Sequence, residues 1–422
     1  MSRELLTGNM ASAWAARLAD VDYLPAFPIT PQTEIIETLE KWVKSQDLNA
    51  KMVMLESEHS MLTAAGAAAA TGVRVYTATS SQGLLYGMEM LYTVAGWRVP
   101  FVLTNVSRGL SAPITLESDH NDVLAARDCG FIQLHASTCQ EVFDATLMAF
   151  RLAEDKDIRL PVLVNLDGFY LSFTREPVDL PDPAMVATFL PAFDDQGLSF
   201  RAGKPVSEAV AVLGGTPYSY FRYELHLANL NGLEVFDKVA AEFQQVFGRQ
   251  YHQLECYRSE DADLVFVIMG SFSTKAKDAV DQLRDTGMKV GMIRPFMLRP
   301  FPAQKFVESL GGKKAAIVID QNLSMGKGGI LHSEVASALY GQPGAPSILA
   351  SYIGGLGGRD IGPEEFYAMA NETLDAVKTG VPLPPRLLFK TDEMREMRKM
   401  QAIASVERDN GDTGRSQLEE EQ

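Results

Sequence analysis

Four short stretches carry the residue types that could do chemistry. Glu56-Ser-Glu-His-Ser60 sets an acid, Glu58, at the head of a segment rich in small residues. Ala78-Thr-Ser-Ser-Gln-Gly83 follows with hydroxyl and amide groups, Phe27-Pro-Ile-Thr-Pro31 lies upstream, and Asn105-Val-Ser-Arg108 lies downstream. A carboxylate like Glu58 can move a proton, bind a metal or cap a helix, and Ser57 and Glu58 both suit a helix N-terminus. Ser80, Ser81 and Gln82, expected at the neighbouring strand end, favour a binding role because their polar groups would converge on the same crevice. Arg108 could hold a carboxylate in a bidentate fork, the plainer alternative being a loop ion pair with Glu117 or Asp119. Thr30 is expected as a helix N-cap with Pro31 at the first helical position, its hydroxyl alternatively reaching a ligand. His59 reads as a hydrogen-bonded neighbour rather than a base. Together these groups suit one pocket for a flat ring and an anionic substrate, which points to an enzyme subunit.

Other candidates carry less. Asp119, His120 and Asp122 have the composition of a metal cluster, but no matching ligand set recurs, and no metal site is assigned to this chain. Gly326-Lys-Gly-Gly329 and Gly354-Gly-Leu-Gly-Gly358 fit neither a phosphate loop nor a dinucleotide fingerprint. Tight turns and close backbone packing are expected there instead, and no nicotinamide site. Cys129, Cys139 and Cys256 are far apart without a C-x-x-C pair, so they are expected as reduced, buried thiols rather than as iron–sulfur or zinc ligands.

The elements that must position these residues follow from the apolar pattern. The chain has 422 residues, 46% hydrophobic and 22% charged, a length that predicts about two or three domains. Strands are expected over 23–27, 51–55, 74–78, 100–104 and 160–166, with helices near 10–19, from Thr30, over 61–71 and over 82–95. This alternation predicts an α/β fold, a doubly wound parallel sheet whose ligands sit outside the carboxyl ends of the strands. Every chemical stretch named above falls at such an end. Residues 1–175 make this first domain. A connecting arm over 176–255, interrupted by Pro177, Pro181, Pro183 and Pro191, closes with a polar helix near 233–247. A second α/β unit over 256–385 follows, with strands over 264–269, 290–293, 315–319 and 347–353. Residues 386–422 are expected as a charged helix ending in a disordered tail. The net charge of −16 argues against nucleic acid and anionic membrane as partners. No apolar run reaches membrane-spanning length and no signal-peptide core opens the chain, so a cytoplasmic address is expected.

Taken together, the motifs resemble the alpha subunit of the 2-oxoacid:acceptor oxidoreductases, the pyruvate:ferredoxin oxidoreductase superfamily. The resemblance runs in order through Thr7-Gly-Asn9, Phe27–Pro31, Glu56–Ser60, Thr77–Gly83, Ser107–Pro113, Asp119-His120, Ala126-Arg-Asp128 and Asn165-Leu-Asp-Gly-Phe169. It resumes with Asp320-Gln-Asn-Leu-Ser-Met-Gly326 and Gly354–Asp360.

The resemblance implies a doubly wound parallel-sheet thiamine-pyrimidine domain followed by a transketolase-C-terminal-like α/β domain. It implies thiamine diphosphate as cofactor and oxidative decarboxylation of a 2-oxoacid to acyl-CoA and CO2. By the same resemblance Glu58 would bind the N1′ edge of the aminopyrimidine and promote loss of the thiazolium C2 proton. Pro28, Ile29, Ser81 and Gln82 would complete the cofactor site, while Arg108 and Thr30 would hold the substrate carboxylate and oxo group. The chain has no Gly-Asp-Gly triplet for Mg-diphosphate and no cysteine cluster. A beta subunit would therefore supply the diphosphate site with its Mg2+. Gamma and ferredoxin-like subunits would supply Fe–S clusters and CoA contacts, with ferredoxin or an NAD(H)-linked subunit as acceptor. Ser107-Arg108-Gly109 and Ile114-Thr-Leu-Glu117 depart from the pyruvate-type pattern, so pyruvate and an aryl or branched acid such as phenylglyoxylate are both expected substrates. A non-oxidative thiamine-dependent decarboxylase or transketolase-like subunit, and a scaffold in which Glu58 only caps a helix, are the competing readings.

Overall fold

The computed structural model describes residues 2–195, 197–203, 205–207 and 210–420. The chain opens with β1 (Ser2–Thr7), α1 (Gly8–Leu18), β2 (Tyr23–Ala26), α2 (Thr33–Ser45), β3 (Lys51–Met54) and α3 (Glu58–Ala69). β4 (Tyr76–Thr79), α4 (Ser81–Tyr86), α5 (Met88–Gly96), β5 (Val102–Ser107), α6 (Asn121–Ala125), β6 (Ile132–His135), α7 (Cys139–Ala153) and β7 (Val162–Asp167) follow. Then come β8 (Arg175–Leu180), α8 (Pro183–Phe189), α9 (Gly215–Phe247), β9 (Leu254–Tyr257), β10 (Leu264–Ile268), α10 (Phe272–Asp285), β11 (Val290–Pro295) and β12 (Met297–Arg299). The series ends with α11 (Ala303–Leu310), β13 (Ala315–Asp320), α12 (Ile330–Leu339), β14 (Ile348–Ile353), α13 (Pro363–Thr379) and α14 (Thr391–Glu420).

Two layers of parallel sheet fill the compact unit Met1–Pro385. In the first, β4, β5, β7 and β6 lie side by side in parallel, and β2 and β3 pair in parallel at the β4 edge through a Tyr23–Val75 bridge. In the second, β14, β13, β10 and β11 run parallel and β9 closes the edge antiparallel. The middle strands β5, β7, β10 and β13 are buried along their whole length, as strands covered by helices on both faces must be. Local chemistry starts the helices. Thr7 caps α1 through Met10 N at 3.0 Å, Ser57 caps α3 through Ser60 N at 3.2 Å, and Thr138 caps α7 through Glu141 N at 3.2 Å.

Several expectations need correction. Thr30 is not an N-cap: Ile29–Gln32 is a tight turn closed by Gln32 N to Ile29 O at 3.0 Å, and α2 begins only at Thr33. The single helix expected over 82–95 is two, divided at Gly87, whose hydrogen atom lies where a Cβ would meet Leu62 Cδ1 at 2.2 Å. The segment read as an arm contains β8, paired antiparallel with β1; Pro177 is tolerated on this edge. The polar helix is far longer than expected, starting at Gly215. β6 and α7 were not anticipated, nor was β12, which crosses from the second layer to pair antiparallel with β6. Cys129 and Cys139 are buried free thiols, but Cys256 is exposed. The expected disordered tail is helical through Glu420, and residues 421 and 422 lie outside the described residues. Among the described residues no helix is long and apolar enough to cross a membrane.

Candidate active site

The carboxyl ends of β2, β3, β4 and β5 bring the predicted residues together. Glu58 is the first residue of α3 and is buried. The capping bond is made by Ser57, so the Glu58 carboxylate is not spent on the helix terminus. It lies instead against Gly83 in α4. A Cβ on Gly83 would come within 2.4 Å of Glu58 Oε1 and 2.6 Å of Thr79 Oγ1, so only glycine lets these two groups meet there. Thr79 Oγ1 and Ser80 Oγ are buried and have no hydrogen-bond partner among the described residues. Buried hydroxyls are normally satisfied, so this pair leaves hydrogen-bonding capacity beside the Glu58 carboxylate.

Arg108 follows directly from β5 and is also buried. Its Nη1 donates to Thr30 O at 2.7 Å, its Nη2 donates to Gln82 Oε1, and its Nε has no partner among the described residues. The alternative ion pairs with Glu117 and Asp119 do not form among the described residues. Burial draws the guanidinium below its ordinary range, and the Asp122 carboxylate opposes that shift. Its hydrogen-bond acceptors are neutral oxygens, and the Asp122 carboxylate is the opposite charge that acts on it. Gln82 is fixed by Ser81 Oγ at 2.7 Å and in turn donates to Ser111 Oγ at 2.9 Å. Ser81 has φ +48°, a left-handed conformation that costs a serine about 1 kcal/mol or more.

Ser81, Gln82, Arg108 and Thr30 thus form one hydrogen-bonded cluster, Thr30 through its carbonyl, and Glu58 lies next to it against Gly83. Pro28 is exposed and Ile29 half-buried on the same turn. That turn is held by Gln32 Nε2 donating to Phe27 O at 2.8 Å and Asn9 Nδ2 donating to Pro31 O at 2.9 Å. Asn9, Thr79 and Gly83 were not singled out individually, and their presence inside the matched blocks was the available signal; Gln32 lies just outside the block that ends at Pro31. Asp119, His120 and Asp122 point apart, and among the described residues no metal-holding group of acids, histidines or cysteines exists. His120 Nε2 meets Asp167 Oδ1 at 2.7 Å, Asp119 Oδ1 accepts from Asn121 N, and Asp122 turns toward β5. His59 faces Glu89 at 3.5 Å on the surface. A cavity of about 880 Å³ lined by Trp97, Arg98, Tyr220 and Phe221 shares no residue with this cluster.

Residues 14–232 match the family model described as pyruvate flavodoxin/ferredoxin oxidoreductase, thiamine-diphosphate-binding, and 262–366 match pyruvate:ferredoxin oxidoreductase core domain II. The pyruvate synthase subunit PorA of Thermotoga maritima is 42% identical over 366 residues, covering 87% of this chain and 93% of that protein. This chain belongs to the alpha subunits of the 2-oxoacid:ferredoxin oxidoreductase family. The ketoisovalerate oxidoreductase subunit VorA of Pyrococcus horikoshii is 39% identical, covering 90% and 95%. A 2-oxoglutarate:ferredoxin oxidoreductase from Magnetococcus marinus, solved with 2-oxoglutarate, coenzyme A and succinyl-CoA, shares the fold. Its TM-score is 0.68 at 19% identity, over 89% of this chain and 65% of that one. A 2-oxoacid oxidoreductase subunit of this family carries a thiamine-diphosphate-binding domain, and the site residues fit that group. Two orphaned hydroxyls and a carboxylate admitted by a missing Cβ are groups of the kind that bond the polar edge of an aminopyrimidine.

Proposed function

We propose that this chain is the alpha subunit of a multi-subunit enzyme that oxidatively decarboxylates a 2-oxoacid to acyl-CoA and CO2. The observation that carries the reading is the buried Glu58 carboxylate set against Gly83, beside the unpaired hydroxyl of Thr79. Bound thiamine diphosphate supplies the carbon nucleophile for decarboxylation. Glu58 holds the proton at the pyrimidine nitrogen edge, and burial keeps water from competing for it. Ser81 and Gln82 complete that side, with Pro28 and Ile29 on the facing turn. Arg108 orients the substrate carboxylate, and Thr30 and Gln82 hold the guanidinium in place for it.

The proposal extends to the assembly. A beta subunit holds the diphosphate and Mg2+, while gamma and ferredoxin-like subunits carry the Fe–S clusters. The acceptor is ferredoxin or an NAD(H)-linked subunit, and the chain alone is inactive. The absence of a Gly-Asp-Gly triplet and of clustered cysteines from the sequence supports this division. We divide the chain into a thiamine-pyrimidine domain over 1–175, an arm over 176–255, a transketolase-C-terminal-like domain over 256–385 and a tail over 386–422. Three free thiols suit a cytoplasmic location. Relatives named for pyruvate and for ketoisovalerate support a small or branched substrate, and an aryl acid such as phenylglyoxylate belongs to the same proposal.

The test is a panel of pyruvate, ketoisovalerate and phenylglyoxylate supplied to the native complex with CoA and either ferredoxin or NAD. At least one acid should give acyl-CoA and CO2 with reduction of the acceptor. Aldehyde release without CoA or acceptor would support the non-oxidative alternative, and no turnover of any 2-oxoacid would end the reading.

A further inference from the structure

The buried carboxylate of Asp122 is not part of the chemistry assigned above, yet it touches both halves of the site. Asp122 is fully buried. Its Oδ2 accepts from Ser81 N at 3.0 Å, Arg108 N at 3.3 Å and Asn105 Nδ2 at 3.1 Å. Its Oδ1 accepts from Ser107 Oγ at 3.0 Å and from its neighbour Val123 N at 2.7 Å. One side chain therefore ties the end of β4, where Ser81 takes its left-handed φ, to the end of β5, where Arg108 leaves the sheet.

Asp122 is itself held from the second layer. His120, two residues earlier, donates its backbone N to Gln321 O at 2.8 Å. Its ring meets Asp167 at the end of β7, and Asp167 Oδ2 accepts from Ser271 N at 2.8 Å and from Ser271 Oγ. Asn121 Oδ1 accepts from Leu323 N at 3.1 Å. α6 is thus pinned on one side to β13 and β10 through the segments that follow them, and on the other to Ser81 and Arg108. A short helix fixed at so many points defines where its carboxylate sits.

We propose that Asp122 is a positioning residue for the reaction, setting Ser81 and Arg108 in register so that the cofactor edge and the substrate carboxylate are bound in one geometry. Four N–H donors converge on the carboxylate, and the Ser107 hydroxyl lies between Asp122 Oδ1 and Asn165 Oδ1, so the side chain is bonded on both oxygens. Asparagine at this position keeps the shape but places an NH2 against donors on one side. Ser81 then loses what holds its strained backbone, and Arg108 loses its anchor at the main chain.

The inference rests on the reading of the crevice as a thiamine diphosphate and 2-oxoacid site, and the experiment separates the two. Asp122→Asn and the milder Ser107→Ala are made in the assembled enzyme, alone and combined with Arg108→Lys. Thiamine diphosphate affinity is read by calorimetry on cofactor-depleted complex, and KM and kcat are read with the accepted 2-oxoacid. Asp122→Asn should raise KM about tenfold or more and weaken cofactor affinity several-fold, with Ser107→Ala moving both the same way by less. In the Arg108→Lys background the further rise in KM should fall below about twofold, since both substitutions disturb one unit.

Two outcomes overturn the proposal: KM and cofactor affinity unchanged within about twofold in both variants, or effects that multiply independently of Arg108→Lys. Should Asp122→Asn fail to assemble, Ser107→Ala decides by the same criteria. If Arg108→Lys alone leaves KM unchanged, or the unaltered complex binds no thiamine diphosphate, the reading of the site has failed rather than this inference.

Discussion

Glu58 shows how much one missing atom can decide. Its carboxylate reaches its place because Gly83 carries no side chain, and a Cβ there would lie 2.4 Å from Oε1. If Glu58 holds a proton for the reaction, glutamine at that position keeps the volume and loses the function. Glu58→Gln in the assembled enzyme should lower kcat by about 10² to 10⁴-fold while leaving the unfolding midpoint nearly unchanged. Gly83→Ala should cost activity through the same side chain, by pushing the carboxylate aside, and should not add fully to Glu58→Gln. Near-normal turnover of Glu58→Gln would return the residue to a merely structural role. Arg108 differs in kind. Its guanidinium bonds oxygens of neutral groups, and the opposite charge that acts on it is the buried Asp122 carboxylate.

At the scale of elements, α12 shows a helix start built on a buried acid. Asp320 at the end of β13 accepts from Leu331 N at 2.7 Å and His332 N at 3.2 Å, and burial pushes its carboxyl up to about 7. At low pH both the folded and unfolded chains hold this proton, and above about 7 neither does. Between the ordinary carboxylate range and about 7 only the folded chain retains it, so this group's contribution to stability falls as pH rises through that window. Asp320→Asn keeps an acceptor for Leu331 N and removes the titration. Unfolding midpoints of the two proteins, followed from about pH 5 to about pH 8, should show the unaltered enzyme losing ground to the variant as pH rises. A constant difference would mean that Asp320 does not titrate in this window. Elements like this one were legible in sequence wherever a helix or strand was long and its apolar pattern unbroken, as across β10, α10, β11, β13 and β14. The ends of β2, β3 and β4 were legible to within a residue, whereas β5 runs three residues past its expected end at 104, to Ser107. What escaped depends on contacts far apart in sequence. β8 forms because β1 offers an edge, β12 because β6 does, and Thr30 is drawn out of a helix start by a turn that Gln32 and Asn9 hold. The role of Asp122 was hidden for the same reason, since its partners Ser81 and Asn105 lie 41 and 17 residues away.

At the scale of the molecule, the two sheet layers within Met1–Pro385 are joined by more than apolar packing. β12 leaves the second layer to extend the first, and just before it Arg294 on β11 is almost wholly buried. Arg294 Nη2 donates to Glu141 Oε1 at 2.7 Å in the first turn of α7, and Nε donates to Glu255 Oε2 at 2.7 Å on β9. Nη1 adds His135 O at 3.1 Å at the end of β6. The guanidinium is buried while Glu141 and Glu255 keep part of their side chains in solvent, and the two carboxylates make its charge tolerable there. Removing it leaves Glu255 with Lys277 and Glu141 with the Ser137 donors, so each acid loses one of its charged or hydrogen-bonded partners next to the seam between the layers. Arg294→Met, close in length and without charge, should therefore destabilise the enzyme by about 2 to 3 kcal/mol, read as a lower denaturant midpoint at an unchanged slope. Arg294→Lys should recover part of the loss, since an ammonium restores the charge but cannot satisfy three acceptors in one plane. A loss below about 1 kcal/mol for Arg294→Met would be the size expected of a solvated pair. The layers would then be held by β12 and by the apolar surface between the sheets, and the site would owe its alignment to the α6 segment rather than to this ionic seam.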